Sequence, residues 1–189
     1  TPEPGFFTPT YNQWIIYDDP EAPTAAQESY IQTYIANFEL ALAANDGSWK
    51  NYADANSFAD WWLINELLRN IDTADYWSSC KIWKQKDGLL KMGPLWDHDL
   101  GLGRTFTTDN IETNTLYTGW HTRSAAWITQ MWNTDVQFRE IVKVRWSALL
   151  ARLEEMGGVE KWIDDTLGYI SRAIKDDQVR WPAKYTTYT

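Results

Sequence analysis

The stretch from Ser57 to about Asn70 limits what the chain can fold into more than any other. At about 3.6 residues per turn, Phe58, Trp61, Trp62, Ile64, Leu67 and Leu68 cover much of a helix circumference rather than one stripe. A helix with so little surface fit for water belongs at the centre of a core, with other elements packed around it. Ser57, with Asp60 three residues on, gives the spacing of a helix cap and sets the expected start.

The surrounding elements read mostly as helices. Thr24 and Gln27 form a capping-box pair, and Tyr30, Ile31, Tyr34, Ile35, Phe38 and Leu42 make one apolar stripe, ended by Asn45-Asp46-Gly47. Three further helices are predicted: about 124–133 around Trp127 and Ile128, about 135–155 around Phe138, Val142 and Trp146, and about 159–180 around Trp162, Leu167 and Ile174. Gly157-Gly158 stops the second of these. Between the central helix and this group, Cys80–Gln85 and Leu89–Met92 flank Asp87-Gly88, which predicts a β-hairpin. The expected fold class is therefore mainly α with a small β-hairpin. Residues 1–24 read as an extended lead-in, with Trp14–Tyr17 as an edge strand or arm, and residues 25–189 as one helical domain. Residues 104–123, rich in Thr and Asn, read as a long irregular loop.

Charge removes several classes of partner. With 17 Lys and Arg against 26 Asp and Glu, the formal charge of -9 leaves no basic surface for nucleic acid or anionic membranes. No apolar run approaches the ~20 residues that span a bilayer, and the first residues lack the pattern of a signal peptide. Cys80, the single cysteine, offers neither an internal disulfide nor a CxxC metal pattern. The 13 Trp beside 10 Tyr imply either a large rigid core or stacking platforms for sugars. Because most tryptophans fall on apolar helical stripes, the core reading is preferred.

Chemistry concentrates in Trp96-Asp97-His98-Asp99, just after the hairpin. In extended backbone, residues two apart point the same way, so Asp97 and Asp99 are able to face one hard cation such as Mg²⁺. The order of elements strengthens this: a buried helix, a polar segment with Asp72, a hairpin, then Asp97 and glycines follow the chain order of the catalytic half of a protein kinase. In that arrangement the hairpin folds two acid-bearing loops side by side. HRD, DFG, GxGxxG and Walker patterns are absent, and Gly101-x-Gly103 alone is uninformative. His98, between the acids, reads as a packing or hydrogen-bonded histidine rather than a ligand, and His121 as a surface residue. Glu66 either orients the loop after the central helix or is simply a paired acid. Two His and one Cys supply a zinc hydrolase or Cys-His nucleophile poorly.

The strings Ser57-Phe58-Ala59-Asp60-Trp61-Trp62-Leu63-Ile64-Asn65-Glu66-Leu67, Asn70-Ile71-Asp72, Leu90-Lys91-Met92-Gly93-Pro94-Leu95-Trp96-Asp97-His98-Asp99-Leu100-Gly101 and Phe138–Trp146 resemble the CotH family of spore-coat-type atypical protein kinases. The resemblance covers about residues 25–155. It implies the C-terminal lobe of a divergent kinase-like α+β fold, use of ATP with Mg²⁺ or Mn²⁺, a protein Ser/Thr substrate, and an extracytoplasmic setting. Carried over by position, Asp72 is the catalytic acid, Asp97 and Asp99 the metal acids, and Ser79 and Trp96 lie on the nucleotide side. About two extra residues between Asp72 and Ser79 make Asp75 the competitor of Asp72. The resemblance also implies an N-terminal nucleotide lobe that residues 1–24 are too few to supply, and hence little turnover by this portion alone. The alternatives are a non-catalytic module for carbohydrate or protein, or a pseudokinase scaffold.

Overall fold

The computed structural model describes residues 3–70, 72–73, 79–101 and 122–182. Two compact units divide the chain, Thr1–Arg145 and Trp146–Thr189. The fold is mainly helical, as the periodicity predicts. In chain order the elements are β1 (Gly5–Phe7), β2 (Trp14–Ile16), α1 (Ala25–Ala43), α2 (Ala55–Leu68), β3 (Ile82–Trp83), β4 (Lys91–Met92), α3 (Ala126–Thr134), α4 (Val136–Glu155) and α5 (Gly158–Arg180). The expected loop over 104–123 lies outside the described residues up to 121, and Thr122–Ser124 is a single 3-10 turn.

In the first unit an aromatic network joins the helices. Phe38 of α1, Phe58 of α2 and Trp127 of α3 meet at ring separations of 5.2–6.5 Å. Around Phe138 of α4, Trp49 approaches edge-on at 5.7 Å and Trp62 lies stacked at 6.4 Å. Each such pair contributes about 1 kcal/mol beyond the area it buries. As expected, α2 is the central element, with Phe58, Ala59, Trp61 and Trp62 all buried.

Two caps show how local chemistry sets helix starts. Thr24 and Gln27 close the predicted capping box at α1. At α2 the expected cap is corrected: the N-cap is Asp54, whose carboxylate accepts from Asn56 N and Ser57 N at 3.0 and 3.3 Å. Ser57 sits inside the first turn, where its hydroxyl donates to the Asp54 carbonyl and accepts from Met92 N. The residue read as a cap therefore stitches β4 to α2.

The predicted hairpin forms, but only as the pairs Ile82↔Met92 and Trp83↔Lys91. It is shorter than the expected strands because Leu90 leaves it to pair with the entry to α2, accepting from Asp54 N and donating to the Tyr52 carbonyl. Lys84 pins the connecting turn to α1, with Nζ 2.7 Å from the Tyr30 hydroxyl and 4.1 Å from the Tyr34 ring centroid. The lead-in also forms a hairpin, β1 with β2. It is tied to α1 by Glu39, whose buried carboxylate accepts from Thr10 N and Tyr11 N and, on its other oxygen, from Trp127 Nε1.

In the second unit α5 buries none of its residues, so its predicted apolar stripe is not a core stripe among the described residues. The core reading of the tryptophans is corrected accordingly. Trp49, Trp61, Trp62 and Trp127 are buried, whereas Trp14, Trp83, Trp96, Trp162 and Trp181 are exposed.

Candidate functional site

The site is built where α2 ends. Arg69 takes a left-handed conformation, φ 48°, which stops the helix and turns the chain. Asn70 follows, fully buried, and then Asp72 and Thr73. Thr73 closes this turn by donating both its N–H and its hydroxyl to the Asn70 carbonyl.

The second strand of the β3–β4 hairpin leads to the other half. After Met92 the chain passes Gly93 at φ 112° and reaches Asp97, which is left-handed at φ 54°. The premise of an extended backbone through Asp97 and Asp99 is therefore corrected: the alternation that would point both carboxylates one way does not apply at Asp97. Asp99 is exposed, and among the described residues no hydrogen bond joins it to Asp72, Ser79 or Asp97. Gly101 shows why this loop lies against the end of α2: its N–H donates to the His98 carbonyl, and a Cβ there would come within 3.2 Å of the Leu68 carbonyl oxygen. Only a residue without a side chain permits that approach without displacement.

Ser79 joins the two acids. Its hydroxyl lies 2.5 Å from Asp72 Oδ2 and 3.4 Å from Asp97 Oδ2. A serine hydroxyl has one proton, so the short contact is the donated bond and the long one marks proximity. Asp72, Ser79 and Asp97, read from the sequence as one site, are thus brought together from two loops. Trp96 is 57% exposed beside them, with Leu95 also exposed. Asp75, His121, Trp120 and Gly103 lie outside the described residues.

The oxygens present suit a hard cation. Two carboxylates approaching one hydroxyl repel each other unless a positive charge intervenes, and Mg²⁺ takes one or two carboxylates while keeping waters and phosphate oxygens. Among the described residues no three His, Cys, Asp or Glu side chains gather as a group that could hold a metal ion. Burial pushes the thiol of Cys80, next to Ser79, up to about 12, which favours its protonated form near neutral pH.

The neighbouring candidates resolve differently. His98 is half-buried, and its Nε2 is buried with no hydrogen-bond partner among the described residues. Glu66 accepts from Trp62 Nε1 and from Arg123 N, each at 3.2 Å, and so fixes the 3-10 turn beside α2. Sequence reasoning missed Asn70 and Gly101. Asn70 stands in the quoted string Asn70-Ile71-Asp72, but nothing in its spacing shows that its side chain turns inward.

A family model described as CotH kinase protein matches residues 6–189. No curated protein and no solved structure matches the chain. Among the described residues no helix is long and apolar enough to cross a membrane.

Proposed function

The chain belongs to the CotH kinase family, and from that premise we propose that it carries the metal-binding and catalytic acids of an enzyme moving the γ-phosphoryl group of ATP to a protein Ser or Thr. Asp72 takes the proton of the acceptor hydroxyl while that oxygen bonds the γ-phosphorus; the bond to the β–γ bridging oxygen breaks and ADP leaves. Asp97 and Asp99 are the residues assigned to hold Mg²⁺ or Mn²⁺, which when bound neutralises charge on the phosphate oxygens. Ser79 and Trp96 line the nucleotide side.

The observation that carries this reading is the meeting of Asp72 and Asp97 at the Ser79 hydroxyl, which supports a proton acceptor beside a cation site. The family's association with the spore coat supports an extracytoplasmic setting.

The test is phosphate transfer from radiolabelled ATP by the natural full-length protein. Asp72→Asn is expected to lower kcat about a hundredfold or more, and Asp97→Asn to weaken Mn²⁺ binding. Wild-type turnover by Asp72→Asn removes Asp72 as the proton acceptor. Nucleotide binding without any transfer identifies a pseudokinase.

A second reading, a non-catalytic carbohydrate-binding module, draws on the exposed Trp14, Trp83 and Trp96. It predicts that oligosaccharide protects tryptophan emission from acrylamide quenching, which a kinase lobe does not require.

A further inference from the structure

Two loops supply the acids of the proposed site, and one buried side chain touches the backbone of both. Asn70 is fully buried. Its Oδ1 accepts the backbone N–H of Asp72 at 3.2 Å, and its Nδ2 donates to the backbone carbonyl of Asp97 at 3.1 Å. The partners dictate the orientation of the amide, since a backbone N–H only donates and a carbonyl only accepts. Asn70 is itself held: its N–H donates to the Asn65 carbonyl, and its carbonyl accepts from Thr73 N and Oγ1. The side chain thus projects from a residue whose own N–H and carbonyl are both held.

The bond to Asp97 falls where backbone support is most needed. A left-handed aspartate persists only where its surroundings hold it, and its carbonyl is the atom Asn70 grips. We propose that Asn70 is the positioning residue that locks the Asp72 turn and the Asp97 loop into one unit, holding the Asp97 carboxylate in place for a divalent cation and keeping the Asp72 proton acceptor aligned beside it. This rests on the metal-site reading given above. Only a carboxamide meets both demands. Aspartate would set a carboxylate oxygen against the Asp97 carbonyl, and serine is too short to reach both partners.

The experiment measures Mn²⁺ affinity by electron paramagnetic resonance on the full-length protein, with thermal unfolding recorded for every variant. Asn70→Ala is expected to weaken Mn²⁺ binding about tenfold or more, the size of effect seen when a partner that orients a ligand is removed. Asp135→Ala, which removes a cap and an ion pair at the start of α4 without contact to either acid, is expected to unfold earlier on heating yet bind Mn²⁺ as wild type does. Loss of stability alone is thereby separated from loss of alignment. In turnover, Asn70→Ala is expected to lower kcat with the KM for the acceptor protein unchanged. If Asn70→Ala does not fold, Asn70→Ser takes its place with the same expectation. A folded Asn70 variant with wild-type Mn²⁺ affinity, while Asp97→Asn has lost it, overturns the positioning role and leaves the metal site standing. Unchanged affinity in Asp97→Asn overturns the metal site and the positioning role together.

Discussion

Cys80 stands beside Ser79 on the nucleotide side of the proposed site, and burial raises its thiol from 9.0 to about 12. At about pH 8 an unshifted thiol is about one-tenth thiolate, and Cys80 about one part in ten thousand. Alkylation by iodoacetamide in the folded protein is therefore expected to run about a thousandfold slower than in denaturant, read by intact mass; equal rates would show the thiol open to solvent. The same scale explains what the sequence conceals. Glu39 falls on the buried stripe of α1 with Ile35, Phe38 and Leu42, and that spacing is a signal that hydrophobicity counts pass over. Its carboxylate tolerates burial because three N–H groups point at it. Asn70 and the left-handed Asp97 gave no such signal, since both are set by contacts between loops far apart in sequence.

Element boundaries were legible where the cap lies next to the helix it starts, as with Thr24, and misread where two candidate caps stand three residues apart, as with Asp54 and Ser57. Asp135 is the second cap that depends on tertiary contact. Its carboxylate accepts from Gln137 N and Phe138 N at the start of α4, and also from Trp49 Nε1 and Lys50 Nζ, the last at 2.6 Å. Burial pushes the Asp135 carboxyl up, but the Lys50 ammonium and the Phe138 and Trp49 N–H donors outweigh it and hold the carboxyl below its ordinary 3.8. A lowered folded value stabilises the fold above the unfolded pKa, and that stabilisation is lost as pH falls through the lower folded value. Asp135→Asn is expected to cost about 1–2 kcal/mol near neutral pH. The difference from wild type should shrink as pH falls through the ordinary 3.8 and below it, followed by thermal unfolding over a series of acidic pH values. A difference that stays constant with pH would assign the effect to packing alone.

At the scale of the whole chain, two tiers of stability follow from where the aromatic side chains lie. In Thr1–Arg145, α1 and α2 bury Ile35, Phe38, Leu42, Phe58, Trp61 and Trp62, so their amides open only when the aromatic network does. In Trp146–Thr189, α5 has 23 residues and buries none of them. Spaced ion pairs along it, such as Lys161–Asp165 and Arg172–Asp176, are well exposed, and each contributes about 0.3–0.5 kcal/mol. An exposed helix of that length with such modest pairs stays close to the helix–coil balance. The 3.6-residue period alone could not reveal this, because an amphipathic stripe has the same spacing whether or not a partner covers it. Hydrogen exchange followed by mass spectrometry on this 189-residue chain should find peptides from α5 exchanging several orders of magnitude faster than those from α1 and α2, with protection of the latter lost only at global unfolding. Equal protection of α5 and α2 would mean that Trp162, Leu167 and Ile170 are covered in solution, and the exposed stripe would then be a buried interface.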